Sequence, residues 1–393
     1  MMNKSILFLV SAFLVVGVLL GSACQQAPAA PAPKQEAQPK TAPVSEAKPT
    51  PVPPAPTAAK PAAAATPAAA APQKVAPLSP TVAVKLGVSA FSPSDAGFLI
   101  SLEKNYFREE GLNVEVVPFS TAGEMIAPLS TNQIDVGGGI VGAGLFNAIA
   151  RDIPLKIVAD KGSVPKGFGY EALVIRKDVM DSGAFKTDAD LKGKNIAMVS
   201  PGNILEIELE MLLAKVGLKL SDVTMTTIPA MRDHLTALAN KGVDATFFVE
   251  PMVSQAVQQG IAVRYKGSDE IYPGQQIAVV MYSPGFAGKT EAASRFMVGY
   301  LKGVRDYYDL VKSGKNKKEM IDILAKGTKI TDLALFDRMV PVGLNPNGIP
   351  NTQGLASDVK WLIDKGHIKQ AVDLNKIIDG QYSDYAVKRL GKY

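Results

Sequence analysis

The sequence predicts an α/β protein whose folded part, residues 82 to 393, consists of two lobes built on one plan. Two observations carry this. Short apolar runs alternate with longer amphipathic ones, the pattern of a mainly parallel sheet flanked by helices. The same order of elements then comes back about a hundred residues later. In the first lobe "VAVKLGV" reads as a strand, Gly97 to Glu110 as a helix, "LNVEVVPF" as a strand, Glu124 to Thr131 as a helix and "IDVGGG" as a strand. In the second, "NIAMVS" ends in Ser200 as "KLGVS" ends in Ser89, Gly217-Leu218 precedes a strand as Gly111-Leu112 does, and "LANKGVDATFF" echoes "LSTNQIDVGGG".

The stretch Ile134 to Asp160 carries Gly137, Gly139 and Gly142 in G-x-G-x-x-G spacing, with an acid about 20 residues on, like a dinucleotide fingerprint. Its position argues against that reading, because the glycines follow the third strand and not the first. The equivalent "VDATFFVEP" has no glycines after its strand. Close approach of a ligand and tight packing remain as roles for them.

Residues 1 to 23 place Lys4 before an apolar run from Ile6 to Leu20 and then small residues, the layout of a secretory signal. The run ends at Cys24, the sole cysteine, so no intrachain disulfide forms. Cys24 resembles the acylated cysteine of a bacterial lipoprotein, although Gly21 stands three places before it where Leu is usual. Residues 24 to 81 then form a tether rich in Ala and Pro, without one aromatic residue, expected to be disordered. At roughly 3 Å per residue in polyproline II, it serves either to carry the folded part away from a membrane or as a plain spacer. Of the net charge of +5, the six lysines and two glutamates before Ala83 supply +4. A nearly neutral folded part argues against a nucleic-acid partner.

Across residues 82 to 385 the chain resembles the substrate-binding proteins of ABC importers in the nitrate, sulfonate, taurine and thiamine-pyrimidine group. The matching stretches are "VKLGVSAFSPSDAGFLISLEKNYFREEGLNVEVV", "LSTNQIDVGGG", "LKGKNIAMVSPGN" and "KGVDATFFVEP". The resemblance implies the type II periplasmic-binding-protein fold: two α/β lobes, two crossing strands as hinge, and a ligand cleft between the lobes. Lobe one would comprise 82–176 and 283–393, the latter with a helical C-terminal part, and lobe two 177–282. "EALVIRKD" would leave lobe one and "QQIAVVMYSP" would return. It also implies an exported, lipid-anchored monomer facing the periplasm or extracellular space, which takes up a small molecule and hands it to a permease and its ATPase.

Ligands of such sheets sit beyond the carboxyl ends of the strands, near unsatisfied helix starts. That selects Ser89, Phe91 and Asp95, then Thr121, Gly139 and Ile140, and Tyr170 in the loop from Lys161 to Tyr170. In lobe two it selects Ser200, Asn203, Phe248 and Glu250, with Met281 added from the returning strand. Asp95 reads first as a helix cap. Ser200 to Asn203, "SPGN", reads equally as an anion site or an ordinary cap. Glu250, an acid after a buried strand, is expected either to face the cleft and accept from an amino or ring N–H, or to pair with a cation of the other lobe. Acid plus aromatics favours a heterocycle such as a thiamine pyrimidine or flavin. A sulfonate, taurine or nitrate receptor is the alternative, followed by a sensor component or an NAD-dependent enzyme.

Catalytic chemistry is thin. His234 and His367 are far apart, without metal-ligand spacing, and the folded part has no cysteine. The expectation is a binding protein with no catalytic residues, metal or cofactor.

Overall fold

The computed structural model describes residues 75–89, 92–119, 122–151 and 153–393, all within the unit Thr66–Tyr393. The expected signal, Cys24, most of the tether, Phe91 and Thr121 lie outside the described residues. Two five-stranded sheets carry the fold, in the orders β2-β1-β3-β10-β4 and β7-β6-β8-β5-β9. The first contains β1 (Val82–Ser89), β2 (Leu112–Phe119), β3 (Val136–Ile140), β4 (Lys156–Ser163) and β10 (Gln276–Tyr282). The second contains β5 (Glu171–Arg176), β6 (Asn195–Met198), β7 (Thr224–Thr227), β8 (Ala245–Val249) and β9 (Ala262–Gly267). Position for position the orders are the same, with β10 and β5 as the antiparallel members.

Around the first sheet lie α1 (Ala96–Glu103), α2 (Tyr106–Glu109), α3 (Ile126–Ser130) and α4 (Ala143–Ile149). The helix expected from Gly97 to Glu110 is broken, because Asn105 takes the left-handed conformation at φ 59, which asparagine tolerates. Around the second sheet lie α5 (Lys177–Asp181), α6 (Ile204–Ala214), α7 (Met231–Ala239), α8 (Met252–Gln258) and α9 (Ser268–Ile271). The C-terminal part supplies α10 (Pro284–Gly288), α11 (Thr290–Ser313), α12 (Lys317–Thr328), α13 (Thr352–Asp364), α14 (Leu374–Ile377) and α15 (Gln381–Leu390). Helices α11 and α12 pack on α1, and α15 packs on α11 and β4, so this part completes lobe one. Helix α13 packs against both α4 of lobe one and α6 of lobe two.

The repeat read in the sequence reaches individual hydrogen bonds. The Asp135 carboxylate accepts from Lys85 N at 2.8 Å, and the Asp244 carboxylate from Asn195 N at 2.9 Å. Each aspartate thus ties the start of the third strand of its lobe to the first. Leu129 and Leu238, six residues before them, are both fully buried.

Sheet membership moves the lobe boundaries by a strand. β5 bonds to β8 and β9, and β10 to β3 and β4, so lobe two begins before Glu171 and ends before Gln276, earlier than the expected breaks after 176 and 282. The two connections run side by side: Val164 N donates to Gln275 O at 3.1 Å and Gly274 N to Val164 O at 2.8 Å. A third segment joins them through bridges from Gly343 to Ser163 and from Val342 to Gly169.

Gly137, Gly138 and Gly139 lie within β3 itself. A Cβ on Gly137 would come within 2.7 Å of Leu129, and one on Gly138 within 2.6 Å of Lys161 Cε. The glycines give side chains room against a central strand, and no phosphate-cradling turn is formed by Gly137 and Gly139.

Candidate functional site

Parallel strands β1 and β3 end toward the same edge of lobe one, and β6 and β8 do so in lobe two; the helices that follow start at the cleft. At this edge the lobes touch. Gly142, which precedes α4, forms an antiparallel bridge with Asn203, the N-cap of α6, and Ala143 N donates to Gly202 O at 3.1 Å. Asn147 Nδ2 on α4 reaches His367 O at 2.9 Å, and His367 Nε2 lies 3.7 Å from Glu206 Oε1 on α6. The lobes are therefore closed on one another.

The start of α6 is largely occupied by its own residues. Asn203 Oδ1 accepts from Leu205 N at 2.8 Å, and Glu206 Oε2 accepts from Gly202 N at 2.7 Å. Of the two readings of "SPGN" the cap is the one seen, since these carboxylate and amide oxygens take donors that an anion would need. Ser200 is exposed, and its carbonyl accepts from the Asn203 amide.

In lobe one Asp95 follows Pro93 and Ser94 at the entry to α1 and is 1% exposed. Its Oδ2 accepts from Ser92 N at 3.0 Å as the third residue of the short turn Pro93–Asp95 that Ser92 caps, so its side chain does not cap α1 as expected, and Oδ1 lies 2.9 Å from Lys161 Nζ. The same ammonium donates to Ser94 Oγ at 3.0 Å. Lys161 was expected in an exposed loop, but it sits inside β4 and is buried. The apolar run on either side of "ADKG" continues the strand through it, and glycine at position 138 leaves space for its stem. Beside it, Asp160 accepts from Gly162 N, Gln276 Nε2 and Asn345 N, and burial pushes its pKa up to about 6.

Glu250 is buried, as an acid placed between a core strand and a helix has to be, and its partners come from two sides. It accepts from Ser254 N at 3.0 Å and Ser254 Oγ at 3.1 Å on α8, and from Val340 N at 3.3 Å on the third hinge segment. Burial raises its pKa against these hydrogen bonds. Its own N–H donates to Tyr170 O at 2.8 Å, which ties it to the start of β5. Among the described residues Glu250 forms no ion pair with a cation of the other lobe, although the charge of Arg264 in β9 acts on it.

Phe248 and Met281 are placed elsewhere than expected. Phe248 packs with Ala172, Val174, Leu238 and Val253 in the second apolar core. Met281 lies in β10, which runs antiparallel to β3, so Met281 faces Gly137 near the start of that strand while Ala278 faces Ile140 at its cleft end. The error lies in treating the returning strand as parallel; its cleft end is Gln276 to Ala278. Tyr170 is buried in the main core, Ser89 ends β1, and Gly139 and Ile140 end β3 at the cleft, with Ile140 47% exposed. Gln276, Asn345 and His367 were missed as neighbours of the site, and Lys161 was placed in a loop although it lies inside β4. Only Lys161 had a local signal, the small Gly138 opposite a polar residue in an apolar strand.

A family model described as the NMT1-like family matches residues 78–325, more than half of the chain. The chain belongs to the NMT1-like family. No curated protein matches this family member by sequence. Among solved structures it is similar to the alkanesulfonate-binding protein SsuA from Xanthomonas axonopodis pv. citri bound to MOPS, at 19% identity and TM-score 0.60, covering 76% of this chain and 98% of that one. It is also similar to the periplasmic nitrate-binding protein NrtA from Synechocystis PCC 6803, at 16% identity and TM-score 0.64, covering 81% and 90%. A third is the ligand-binding component of an ABC-type import system from Staphylococcus aureus with zinc bound, at 13% identity and TM-score 0.64, covering 78% and 100%. At these identities the likeness is one of fold, and the NMT1-like protein has the two-lobe periplasmic-binding-protein fold.

Proposed function

We propose that this protein is the solute-binding component of an ABC import system and closes its lobes around a small organic oxyanion of the sulfonate kind. The observation that carries the closure is the bridge between Gly142 and Asn203, which joins equivalent edges of two equivalent sheets. A ligand held between these edges shifts the open–closed equilibrium by its differential affinity for the closed form, and a permease reads the closed surface.

The ligand class draws support from two directions. The similar structures of SsuA and NrtA are named for sulfonate and nitrate. The heterocycle reading, in turn, loses two of its anchors, since Phe248 is a core residue and Glu250 already accepts three hydrogen bonds. Near the cleft the Ser92 and Ser94 hydroxyls lie 2.8 Å apart, and the Lys161 ammonium that donates to Ser94 has its charge answered by Asp95 at 2.9 Å, so this group offers an oxyanion hydroxyls and no free positive charge.

The test is a thermal-shift panel on protein unfolded and refolded to strip bound ligand. Alkanesulfonates, taurine and nitrate are set against aminopyrimidines, flavins, aromatic carboxylates and NAD. An oxyanion at a hundred times its Kd should stabilise by about 2.7 kcal/mol. Stabilisation by a heterocycle and by none of the oxyanions overturns the ligand class, and no stabilisation by any small molecule counts against the receptor.

A further inference from the structure

Where the two crossing segments meet α6 and α13, three carboxylic acids are buried together. Glu171 opens β5, Glu208 lies on α6 and Asp358 on α13, and none is more than 2% exposed. Ser268 Oγ donates to Glu208 Oε2 at 2.5 Å. Glu208 Oε1, Glu171 Oε2 and Gln275 Oε1 have no hydrogen-bond partner, while Asp358 has the Tyr272 hydroxyl and the Gln275 amide as neighbouring donors, which work against the effect of its burial without reaching ordinary hydrogen-bond geometry. Tyr272 and Gln275 flank Asp358, and Asp269 of α9 adds its charge to the field at Glu208.

No cation answers these acids on the elements packed around them. Lys215 of α6 donates to Ile271 O at 3.3 Å; Arg264 of β9 gives Nη2 to Gly169 O at 2.8 Å, and its buried Nη1 is without a partner, so among the described residues it forms no ion pair with any of the three acids. On α13, Lys360 pairs with Asp364, and Lys365 pairs with Glu210 of α6. Asp269 and Glu270 of α9 accept from Gly167 N and Gly267 N. Among the described residues no group of three acids, histidines or cysteines is arranged to hold a metal ion. Protons are then the counter-charge left to the cluster, because a carboxylate without partner in a core neutralises before it stays buried.

We propose that Glu171, Glu208 and Asp358 form a proton-operated catch, which holds α13 across α6 and the hinge while protonated and releases it when ionised. Burial pushes Asp358 up to about 7 against the donors Tyr272 and Gln275, and burial with like charge adding to it pushes Glu208 up to about 8 and raises Glu171 well above the carboxylate range. The packed form thus retains protons that a separated form gives up. Its advantage is full below the ordinary carboxylate range and is lost as pH rises through about 7 and 8. Rising pH opens the hinge. The catch rests on the receptor reading only for its effect on ligand affinity, and the experiment reads the hinge without ligand.

Trp361, the single tryptophan, is a built-in reporter. It lies three residues after Asp358 on α13, donates through Nε1 to Glu210 Oε2 of α6 at 2.5 Å, and stacks on His367 at 5.7 Å between ring centres. The emission of the ligand-free, full-length protein is followed from slightly acid to alkaline pH. We expect a red shift across pH 7 to 8, the range to which Asp358 and Glu208 are pushed. The shift should be lost in Glu208→Gln, reduced in Asp358→Asn and kept in His367→Gln. A wild-type emission that stays flat, a shift undiminished in Glu208→Gln, or its loss in His367→Gln each overturns the catch. Should Glu208→Gln lack the native circular dichroism, Asp358→Asn and the wild-type profile decide.

Discussion

Glu110 shows how much of this fold depends on single buried charges. Arg389 Nη1 donates to its Oε2 at 2.5 Å, Arg295 Nη1 does so at 3.3 Å, and the side chain of Glu110 is 3% exposed. The carboxylate joins three places far apart in sequence: the entry to β2, the long helix α11 and the last helix α15. Arg295 also donates to Ala76 O, and so fixes the chain just before β1. Removing Glu110 leaves two buried guanidiniums facing each other, which costs about 3–5 kcal/mol when one partner of a buried pair is deleted. Glu110→Ala should lower the unfolding free energy by that amount in urea titration, and a change below about 1 kcal/mol would show that water reaches the arginines. Nothing in "FREEGL" marks Glu110 over Glu109, because the selection is made by helices some two hundred residues away. The same holds for Glu171, Glu208 and Asp358, whose meeting depends on how the lobes are joined. Asp135 and Asp244 were legible, since the repeat placed each at the same step of its lobe and the backbone there needs a partner for a strand N–H.

At the scale of elements, the closing contact is made by backbone, so it can be cut with little harm to either lobe. Ala143 is the first residue of α4, and its N–H points across the cleft to Gly202 O at 3.1 Å. Proline is well tolerated at a first helical position, and Gly142 before it is already extended. Ala143→Pro should therefore leave the thermal stability of the ligand-free protein within about 0.5 kcal/mol while removing one hydrogen bond from the closed form. A net loss of about 1 kcal/mol corresponds to roughly five- to tenfold weaker binding. Calorimetry with the ligand that stabilises the protein in the panel measures it, and unchanged affinity would mean that this contact does not form part of closure. The elements themselves were largely readable, because the central strands carry apolar runs and the helices follow at regular spacing. Strand direction was not. β10 and β5 are as apolar as their parallel neighbours, so only pairing reveals that each runs backwards, and that is why Met281 was placed at the wrong end.

For the whole molecule, the C-terminal part is structural in a way that the family match does not convey, since that match ends at residue 325 and the chain continues to Tyr393. Residues beyond it supply the third hinge segment, the straddling helix α13 and the helix α15 that closes lobe one. Tyr382, Ser383 and Ala386 of α15 are almost wholly buried, and the Tyr382 ring lies 5.0 Å from that of Tyr282 in β10. Ser383 Oγ donates to Val158 O of β4 at 2.9 Å, and Arg389 reaches Glu110. Deleting residues 381 to 393 uncovers one large aromatic side chain, worth about 1.5–3 kcal/mol, and unpairs a buried carboxylate, worth about 3–5 kcal/mol. The sum is comparable with the roughly 5–15 kcal/mol that holds a whole domain folded. The shortened chain should lose its cooperative melt and become sensitive to protease within lobe one. A melt and a protease pattern like those of the full chain would show that lobe one is complete without α15, and that the Glu110 network adds little to it.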